Sequence, residues 1–196
     1  MTDFENLKNV CSSCTKCELS KTRTNVVFGR GSSNPDLLFI GEAPGKNEDE
    51  QGIPFCGRAG DNLNKLLEEN NVDINKIFIA NILKCRPPEN RDPKNEEMEL
   101  CTPYLIEQIK LLKPKIICTL GNFSSKFVLA NGNIKEMKKI EGITQIHGKL
   151  IEINFQGVDV KVVPIYHPAA IIYRRHLKDD FFSDFKIINN LLKEEN

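Results

Sequence analysis

The sequence predicts an α/β protein with three layers, α/β/α, around a central four-stranded parallel sheet. Four short runs rich in isoleucine, leucine, valine and phenylalanine have the apolar character of strands that are covered on both faces. These runs span residues 36–40, 77–83, 115–120 and 160–166. Segments with helical spacing lie between them, and strands that alternate with helices pair in parallel through right-handed crossovers.

Helical spacing of apolar residues is clearest in the first half of the chain. Three leucines share one face of residues 60–70, and apolar side chains recur every three or four positions through residues 95–113. Pro103 interrupts the second pattern because proline removes a backbone donor and crowds the preceding turn. We therefore expect a break or kink close to Cys101.

The second half of the chain adds two helices and a hairpin to this pattern. Residues 121–130 favour a third helix, and apolar residues spaced through 181–192 predict a carboxy-terminal one. Residues 143–163 are expected to form a hairpin that turns at Gly148 or Gly157.

Length and charge limit the classes of protein. The 196 residues contain no repeat or low-complexity linker, so residues 1–196 are expected to form one domain. The 27 basic and 27 acidic residues cancel, so any attraction to nucleic acid must come from local clusters such as the acid-free segment 161–178. No apolar run approaches the roughly 18 residues of a membrane span. We expect a soluble, cytoplasmic protein with no membrane partner.

Seven cysteines need an explanation other than disulfides if the protein is intracellular. The motif CSSCTKC places three of them within residues 11–17, Cys85 follows an apolar run, and Cys101 lies in the second predicted helix. Cys118 is expected to be a buried apolar residue of a strand. Thiolate ligation by several of the others fits an iron-sulfur cluster or zinc, and the spacing does not separate the two.

Polar and glycine-rich segments follow three of the four predicted strands. The loop GEAPGKNEDEQGIPFCGRAG begins at Gly41, polar residues follow from Asn81, and HPAA begins at His167. The carboxyl ends of parallel strands meet at one edge of a sheet, where open α/β proteins bind their ligands. Phe55, the one aromatic residue in the loop, would give this edge a flat surface for stacking a planar group.

Four motifs, in this order and spacing, resemble the family 4 uracil-DNA glycosylases, the iron-sulfur branch of that superfamily. They are GEAPGKNEDEQGIPFCGRAG, NILKCRPPENRDP, CTPYL and HPAAIIYRR, and the similarity extends over about residues 11–190. The resemblance implies a parallel four-stranded sheet with flanking helices. It also implies a 4Fe-4S cluster and an activity that excises uracil from single- or double-stranded DNA as the free base.

The resemblance implies a base-binding role for several residues. Phe55 matches the residue that stacks on uracil after the base is flipped out of the helix, and stacking offsets part of the unstacking cost. A fixed Asn81 amide can accept from uracil N3–H and donate to O4, whereas cytosine reverses this pattern. An alternative reading of Asn81 is a strand-end asparagine that caps its own turn. The main-chain amides of Gly41, Ala43 and Gly45 are expected to complete the pocket.

The catalytic residues that the resemblance implies are a histidine and two acids. His167 would donate a hydrogen bond to O2 of the departing uracil anion. Glu42 would orient the attacking water or stabilise the cationic sugar, and Glu48 competes for this role or lines the C5 side of the base. Asp49 and Glu50 are expected to be solvated loop charges.

DNA contact is expected from the HPAAIIYRR motif. Ile171 or Ile172 would enter the space that the flipped base leaves, and Arg174 and Arg175 would neutralise phosphates. An amphipathic helix start with solvated arginines is the alternative. Uracil-containing DNA is the expected partner of a monomeric protein, and the sequence does not test whether a sliding clamp binds it.

The resemblance assigns the 4Fe-4S cluster to Cys14, Cys17, Cys85 and Cys101, that is, to segments 14–17 and 85–101. Cys11 is a competing ligand within the same motif. Because the ligands lie on separate segments, the cluster would tie them together and play a structural role.

Two other functions compete with the glycosylase. One is a noncatalytic iron-sulfur or zinc module that binds nucleic acid. The other is a glycosylase-like protein that crosslinks covalently to uracil-DNA through a histidine. The segment KCRPPENRDPKNE contains no histidine for that purpose, which disfavours the crosslinking protein.

Overall fold

A six-stranded sheet forms the centre of the molecule in the computed structural model, which describes residues 2–194. The strand order is β1-β3-β2-β4-β6-β5, with the four inner strands parallel and the two edge strands antiparallel to their neighbours. The four inner strands confirm the predicted parallel sheet, and β1 and β5 extend it. The strands are β1 (Arg30–Gly31), β2 (Leu37–Gly41), β3 (Ile77–Asn81), β4 (Ile116–Leu120), β5 (Ile151–Phe155) and β6 (Val158–Ile165).

Helices cover both faces of the sheet, as the three-layer prediction requires. Buried side chains of α1, α4 and α5 pack on one face, and those of α3 and α8 pack on the other. Within residues 2–194, no helix has the length and apolar character that a membrane crossing needs. The helices are α1 (Asp3–Ser12), α2 (Lys46–Gln51), α3 (Arg58–Glu69), α4 (Asn95–Leu112), α5 (Asn122–Leu129), α6 (Ile143–Ile146), α7 (Ala170–Tyr173) and α8 (Lys178–Glu194).

Strand β2 shows why the inner strands are apolar at every position. Leu38 and Ile40 belong to the core on one side of the sheet, and Leu37 and Phe39 belong to the core on the other. Successive side chains of a strand point to opposite faces. Both faces are covered, so both sets of side chains must be apolar.

A break or a kink was expected near Cys101; helix α4 continues through Pro103, so the helix does not break there. Proline at this position removes the backbone donor for the carbonyl of Glu99, four residues earlier. Glu99 is exposed, so water can replace that donor. The apolar face of α4, which includes Met98, Leu105 and Ile109, is buried in the core and holds the helix together across the lost bond.

The predicted hairpin is formed by β5 and β6 and turns at the second of the two expected positions. Gln156 and Gly157 both have positive φ, of 51° and 95°, as a two-residue turn between twisted strands requires. Gly148 instead lies after α6, before the hairpin begins.

Candidate active site

A cavity of about 470 Å³ opens at the carboxyl ends of the inner strands, where the sequence predicted the ligand site. Its walls come from the loop after β2, the end of β3 and the segment after β6. The parallel pairing of Gly41 with Asn81 brings the first two of these together. The predicted site residues that line the cavity are Glu42, Ala43, Gly45, Glu48, Phe55, Asn81, His167 and Ile172.

Gly41, the last residue of β2, lets two predicted base-binding side chains approach each other. A Cβ atom at this position would collide with Oδ1 of Asn81 and would lie 2.8 Å from Cζ of Phe55. Real Cβ atoms essentially never show contacts this short, so any larger residue would push these two side chains aside. The sequence prediction assigned Gly41 a main-chain role, and the structure adds this steric one.

Phe55 is held in an unusual backbone conformation. Its φ is +53°, a left-handed value that costs a bulky residue free energy and persists only where the surroundings impose it. Arg30 imposes it in part, because its Nε donates to the carbonyl of Pro54 at 3.0 Å and its Nη2 donates to that of Phe55 at 3.4 Å. Gly60 in α3 leaves room for the Phe55 carbonyl. The ring lies in the cavity wall, 4% exposed.

Asn81 presents an unsatisfied amide to the cavity. The residue is 2% exposed, and its Oδ1 is the one buried side-chain oxygen or nitrogen without a hydrogen-bond partner within residues 2–194. Buried polar atoms are normally paired, so an unpaired acceptor at a cavity marks a position where a ligand can donate a hydrogen bond. The alternative that Asn81 caps its own turn is not supported, since Oδ1 accepts no bond from the backbone.

His167 is a neutral imidazole, and one of its ring nitrogens accepts a hydrogen bond from the backbone. The backbone N–H of Ala169 donates to its Nδ1 at 3.1 Å, so the ring proton lies on Nε2. Burial lowers the pKa of His167 to about 4. The ring centroid lies 5.6 Å from that of Phe55, with the planes inclined by 34°. His167 can therefore act as a neutral hydrogen-bond donor across a wide pH range.

The two predicted acids both line the cavity but differ in environment. Burial, with a smaller contribution from the charge of Asp92, raises the pKa of Glu42 to about 7. The carboxylate of Glu48 folds back on Gly45, where a Cβ atom would lie 2.7 Å from Oε2. Glu42 thus changes its protonation state near neutral pH, as a group that handles a proton or a water molecule should.

Asp49 is not a solvated loop charge, and that prediction is wrong. It is 4% exposed, and its carboxylate accepts from the backbone N–H groups of Thr24 and Asn25 at distances between 2.9 and 3.3 Å. The carboxylate satisfies these otherwise unpaired donors and ties the amino-terminal segment to the pocket loop. Glu50 is exposed, as expected, and pairs with Lys46 at 3.9 Å.

The HPAAIIYRR motif places its side chains in three environments. Ile172 lines the cavity, whereas Ile171 packs against the core beside α8. Arg174 and Arg175 are exposed just beyond α7. Tyr173, to which the sequence prediction gave no role, also lines the cavity and is 77% exposed.

Residues 87–91 form another cavity wall that the sequence prediction did not assign. Pro87, Asn90 and Arg91 line the cavity, and Asn90 has a positive φ of 54°. Arg86 Nε donates to Asn90 Oδ1 at 2.7 Å. The signal in the sequence was the turn-forming run PPEN, which predicts a loop but not its path.

Five cysteines converge on a second, small cavity between α1, α4 and the end of β3. These are Cys11, Cys14, Cys17, Cys85 and Cys101. Cys118 is fully buried in β4, as expected. Within residues 2–194, no three of the histidine, cysteine and acidic side chains are arranged to hold a metal ion.

The donor set of this second cavity fits a thiolate-bound group. Arg23 Nη1 donates to Cys85 Sγ and the backbone N–H of Lys84 donates to Cys101 Sγ, both at 3.2 Å. Hydrogen bonds to sulfur and nearby cationic side chains are the outer partners that stabilise ligating thiolates. Burial raises the pKa of Cys101 to about 12, so a bound metal would have to displace its proton.

Comparison with known proteins assigns the chain to a family. The family model described as the uracil DNA glycosylase superfamily matches residues 28–193. The match includes every wall of the active-site cavity, and the chain belongs to the uracil DNA glycosylase superfamily.

Individual relatives place the chain within a branch of that superfamily. The type-4 uracil-DNA glycosylase of Archaeoglobus fulgidus is 41% identical over 191 residues, which cover 97% of this chain and 94% of that protein. The type-4 enzyme of Thermotoga maritima is 36% identical over 184 residues, 93% of this chain and 91% of that protein. A type-5 enzyme of Pyrobaculum aerophilum is 27% identical over 159 residues, 72% of this chain and 64% of that protein. These identities confirm the predicted resemblance to the type-4 group.

Proposed function

We propose that this chain removes uracil from DNA by hydrolysing its N-glycosidic bond, leaving an abasic site. The observation that carries the proposal is the convergence of Phe55, Asn81 and His167 on one cavity. An aromatic ring, an unpaired amide and a neutral imidazole meet in one cavity. The names of the type-4 relatives support the same reaction.

Recognition of uracil rests on Asn81 and Phe55. The unpaired Oδ1 accepts from N3–H and the amide nitrogen donates to O4, while the ring of Phe55 stacks on the base. Cytosine has an acceptor at N3 and a donor at C4, so it would leave both amide groups unpaired in a buried site. Sites built on such hydrogen bonds reject the wrong ligand strongly, often by 10⁴-fold or more.

Bond cleavage rests on His167. As the glycosidic bond breaks, negative charge develops on O2 of uracil, and Nε2–H of the neutral imidazole donates to that oxygen. Because the ring is already neutral and fixed by the Ala169 N–H, no reorganisation is needed during the reaction. Removing one preorganised donor of this kind typically slows a reaction by about 10²–10³-fold.

Glu42 and Glu48 have different roles in this proposal. Ionised Glu42 orients the water that attacks the cationic sugar, which requires a pH above its pKa of about 7. Glu48, held against Gly45, lines the side of the base where thymine carries its methyl group. The main-chain amides of Gly41, Ala43 and Gly45 complete the contacts to the base.

DNA binding rests on the segment after His167. Ile172 enters the gap that the extruded base leaves, with Ile171 supporting it from the core. The exposed Arg174 and Arg175 neutralise phosphates, so binding weakens as salt increases. Tyr173 offers an exposed ring on which a neighbouring base can stack, in single- or double-stranded DNA.

The second cavity holds a 4Fe-4S cluster in this proposal, with Cys14, Cys17, Cys85 and Cys101 as ligands. When bound, the cluster would crosslink the segment after α1, α4 and the segment after β3, and it would take no part in base excision. Cys11 lines the same cavity and is the alternative ligand. A zinc ion is the competing occupant.

The test is release of uracil from a defined substrate. Purified protein is incubated with single- and double-stranded oligonucleotides that contain one uracil, followed by alkali, which breaks DNA at abasic sites. We expect strand breaks with the native chain and about 10²-fold fewer with His167→Ala. The exposed His176→Ala is the matched control. Absence of breaks with the native chain would favour a noncatalytic binder, and protein retained on denatured DNA would favour a covalent crosslink.

A further inference from the structure

A buried lysine joins the cysteine site to the base-binding cavity. Lys84 is 1% exposed, and its Nζ donates to the backbone carbonyl of Asn81 at 2.8 Å and to Oε1 of Gln108 at 2.6 Å. Both acceptors are neutral. Burying a charged ammonium without a carboxylate is costly, so the position of Lys84 calls for an explanation.

Gln108 extends this contact into the core. It is completely buried in α4, and its Nε2 donates to the backbone carbonyl of Phe28 at 2.9 Å. The side-chain oxygen of Gln108 therefore accepts from Lys84, and its nitrogen donates to a separate backbone segment. These two hydrogen bonds fix the orientation of the Gln108 side chain and the position of the Lys84 ammonium.

The carbonyl that Lys84 reaches lacks a strand partner. Strand β3 pairs with β1 only through Ile79 and Phe78, while on its other side Ile82 N–H donates to Gly41 at 3.0 Å. Backbone groups in a strand alternate between the two neighbours, so the Asn81 carbonyl faces the edge that β1 is too short to cover. The ammonium of Lys84 takes the place of the missing strand.

The other end of Lys84 lies at the cysteines. Its backbone N–H donates to Cys101 Sγ at 3.2 Å, and the next residue is Cys85. The thiols of Cys11, Cys85 and Cys101 lie close enough to its ammonium to interact with it electrostatically. A thiolate-bound group in that cavity would offset the buried positive charge.

We propose that Lys84 and Gln108 are positioning residues that fix the backbone of Asn81 and thereby set the choice of uracil over cytosine. The Asn81 side chain has no hydrogen bond of its own to orient its Oδ1. The position of this oxygen therefore depends on the backbone that carries the side chain, and Lys84 restrains that backbone. This inference rests on the proposed function.

The test is a double-mutant cycle between Lys84 and Asn81. Lys84→Met keeps the length and volume of the side chain but removes the ammonium. We expect uracil excision to fall by about 10²-fold, as for a misplacement of roughly 1 Å, with slow excision of cytosine unchanged. In an Asn81→Ala background, Lys84→Met should have little further effect, because the group that it positions is gone.

Several outcomes would overturn the inference. Equal losses for uracil and cytosine, or losses that multiply in the double variant, would show a general structural role. Gln108→Leu provides a second variant that leaves the lysine in place, and it should lose discrimination in the same direction. Asp184→Asn, which weakens the buried contact of Asp184 with His147, controls for loss of stability and should leave discrimination unchanged.

A measurement independent of catalysis separates this inference from the proposed function. The side-chain amide resonances of Asn81 should be sharp in the native chain and broadened or averaged in Lys84→Met. If the native chain released no uracil, the proposed function would fail, but the resonance would still decide whether Lys84 orders Asn81. Unchanged amide resonances in Lys84→Met and Gln108→Leu would overturn the positioning role.

Discussion

The rings of Phe55 and His167 lie 5.6 Å apart, inclined by 34°, although they belong to loops after different strands. The parallel sheet explains this contact, because it delivers the carboxyl ends of β2 and β6 to the same edge. Asn81 reaches the same cavity from β3, and both its Oδ1 and the Phe55 ring lie beside Gly41. The fold thus assembles one site from three crossover units.

Asn81→Asp should relax discrimination toward cytosine. An aspartate can accept from the amino group of cytosine, whereas the native amide leaves both of its groups unpaired with that base. We expect uracil excision to fall and cytosine excision to rise above its slow native rate, which the rates of release from matched oligonucleotides would show. Asn190→Asp, an exposed change on α8, is the control. Unchanged selectivity would remove Asn81 from its role.

The pH dependence of excision should report Glu42. Its pKa is raised to about 7, so the carboxylate forms, and the rate increases, as the pH rises through that value. The pKa of His167 is lowered to about 4, so the imidazole stays neutral and adds no step near pH 6.5. Single-turnover rates between pH 5 and 9 should therefore show one rising limb, and Glu42→Gln should be slower and flat. A limb that persists in Glu42→Gln would exclude this assignment.

Gly41→Ala should impair excision more than it impairs folding. The added methyl group would collide with the amide of Asn81 and the ring of Phe55, which must move away from the positions that bind the base. We expect a loss of about 10²-fold in the single-turnover rate and a smaller drop in thermal stability. Gly142→Ala is a suitable control, since its nearest neighbour is the end of the Gln145 side chain at 3.0 Å. Native activity in Gly41→Ala would show that the cavity can relax around the methyl group.

Metal content should identify the occupant of the cysteine site. We expect iron and sulfide with visible absorbance in the purified protein, and their loss in Cys101→Ser together with a lower melting temperature. Cys118→Ala, in the core of β4, should lower stability without changing iron content. Zinc in place of iron would overturn the proposed cluster while leaving the base-binding site as described.

Much of the fold follows from local sequence because the inner strands are covered on both faces. Their apolar runs are continuous, so all four were predicted near their observed bounds. Strand β1 was not, since Arg30–Gly31 is only two residues long and carries no apolar pattern. Helix α4 does not break at Pro103, because its tertiary packing outweighs one lost hydrogen bond.

Some residues of the candidate site, like some parts of the fold, were predicted from the sequence, and others were not. Phe55, Asn81 and His167 follow strand ends or lie in the first glycine-rich loop, so topology alone indicated that they meet. Asp49 was assigned to solvent because a loop acid usually lies there, whereas its burial depends on how residues 24–25 cross the loop. Lys84 and Tyr173 were not assigned a role, because the Gln108 partner of Lys84 and most walls of the cavity that Tyr173 lines come from distant segments that no local pattern relates.

Binding of free uracil tests most directly whether the three side chains share one ligand. In a titration of the native chain followed by nuclear magnetic resonance, uracil should shift the Phe55 ring, the Asn81 side-chain amide and the His167 imidazole together, with one dissociation constant. Cytosine at equal concentration should shift none of them. Shifts confined to one of the three groups, or equal responses to both bases, would contradict a common uracil site.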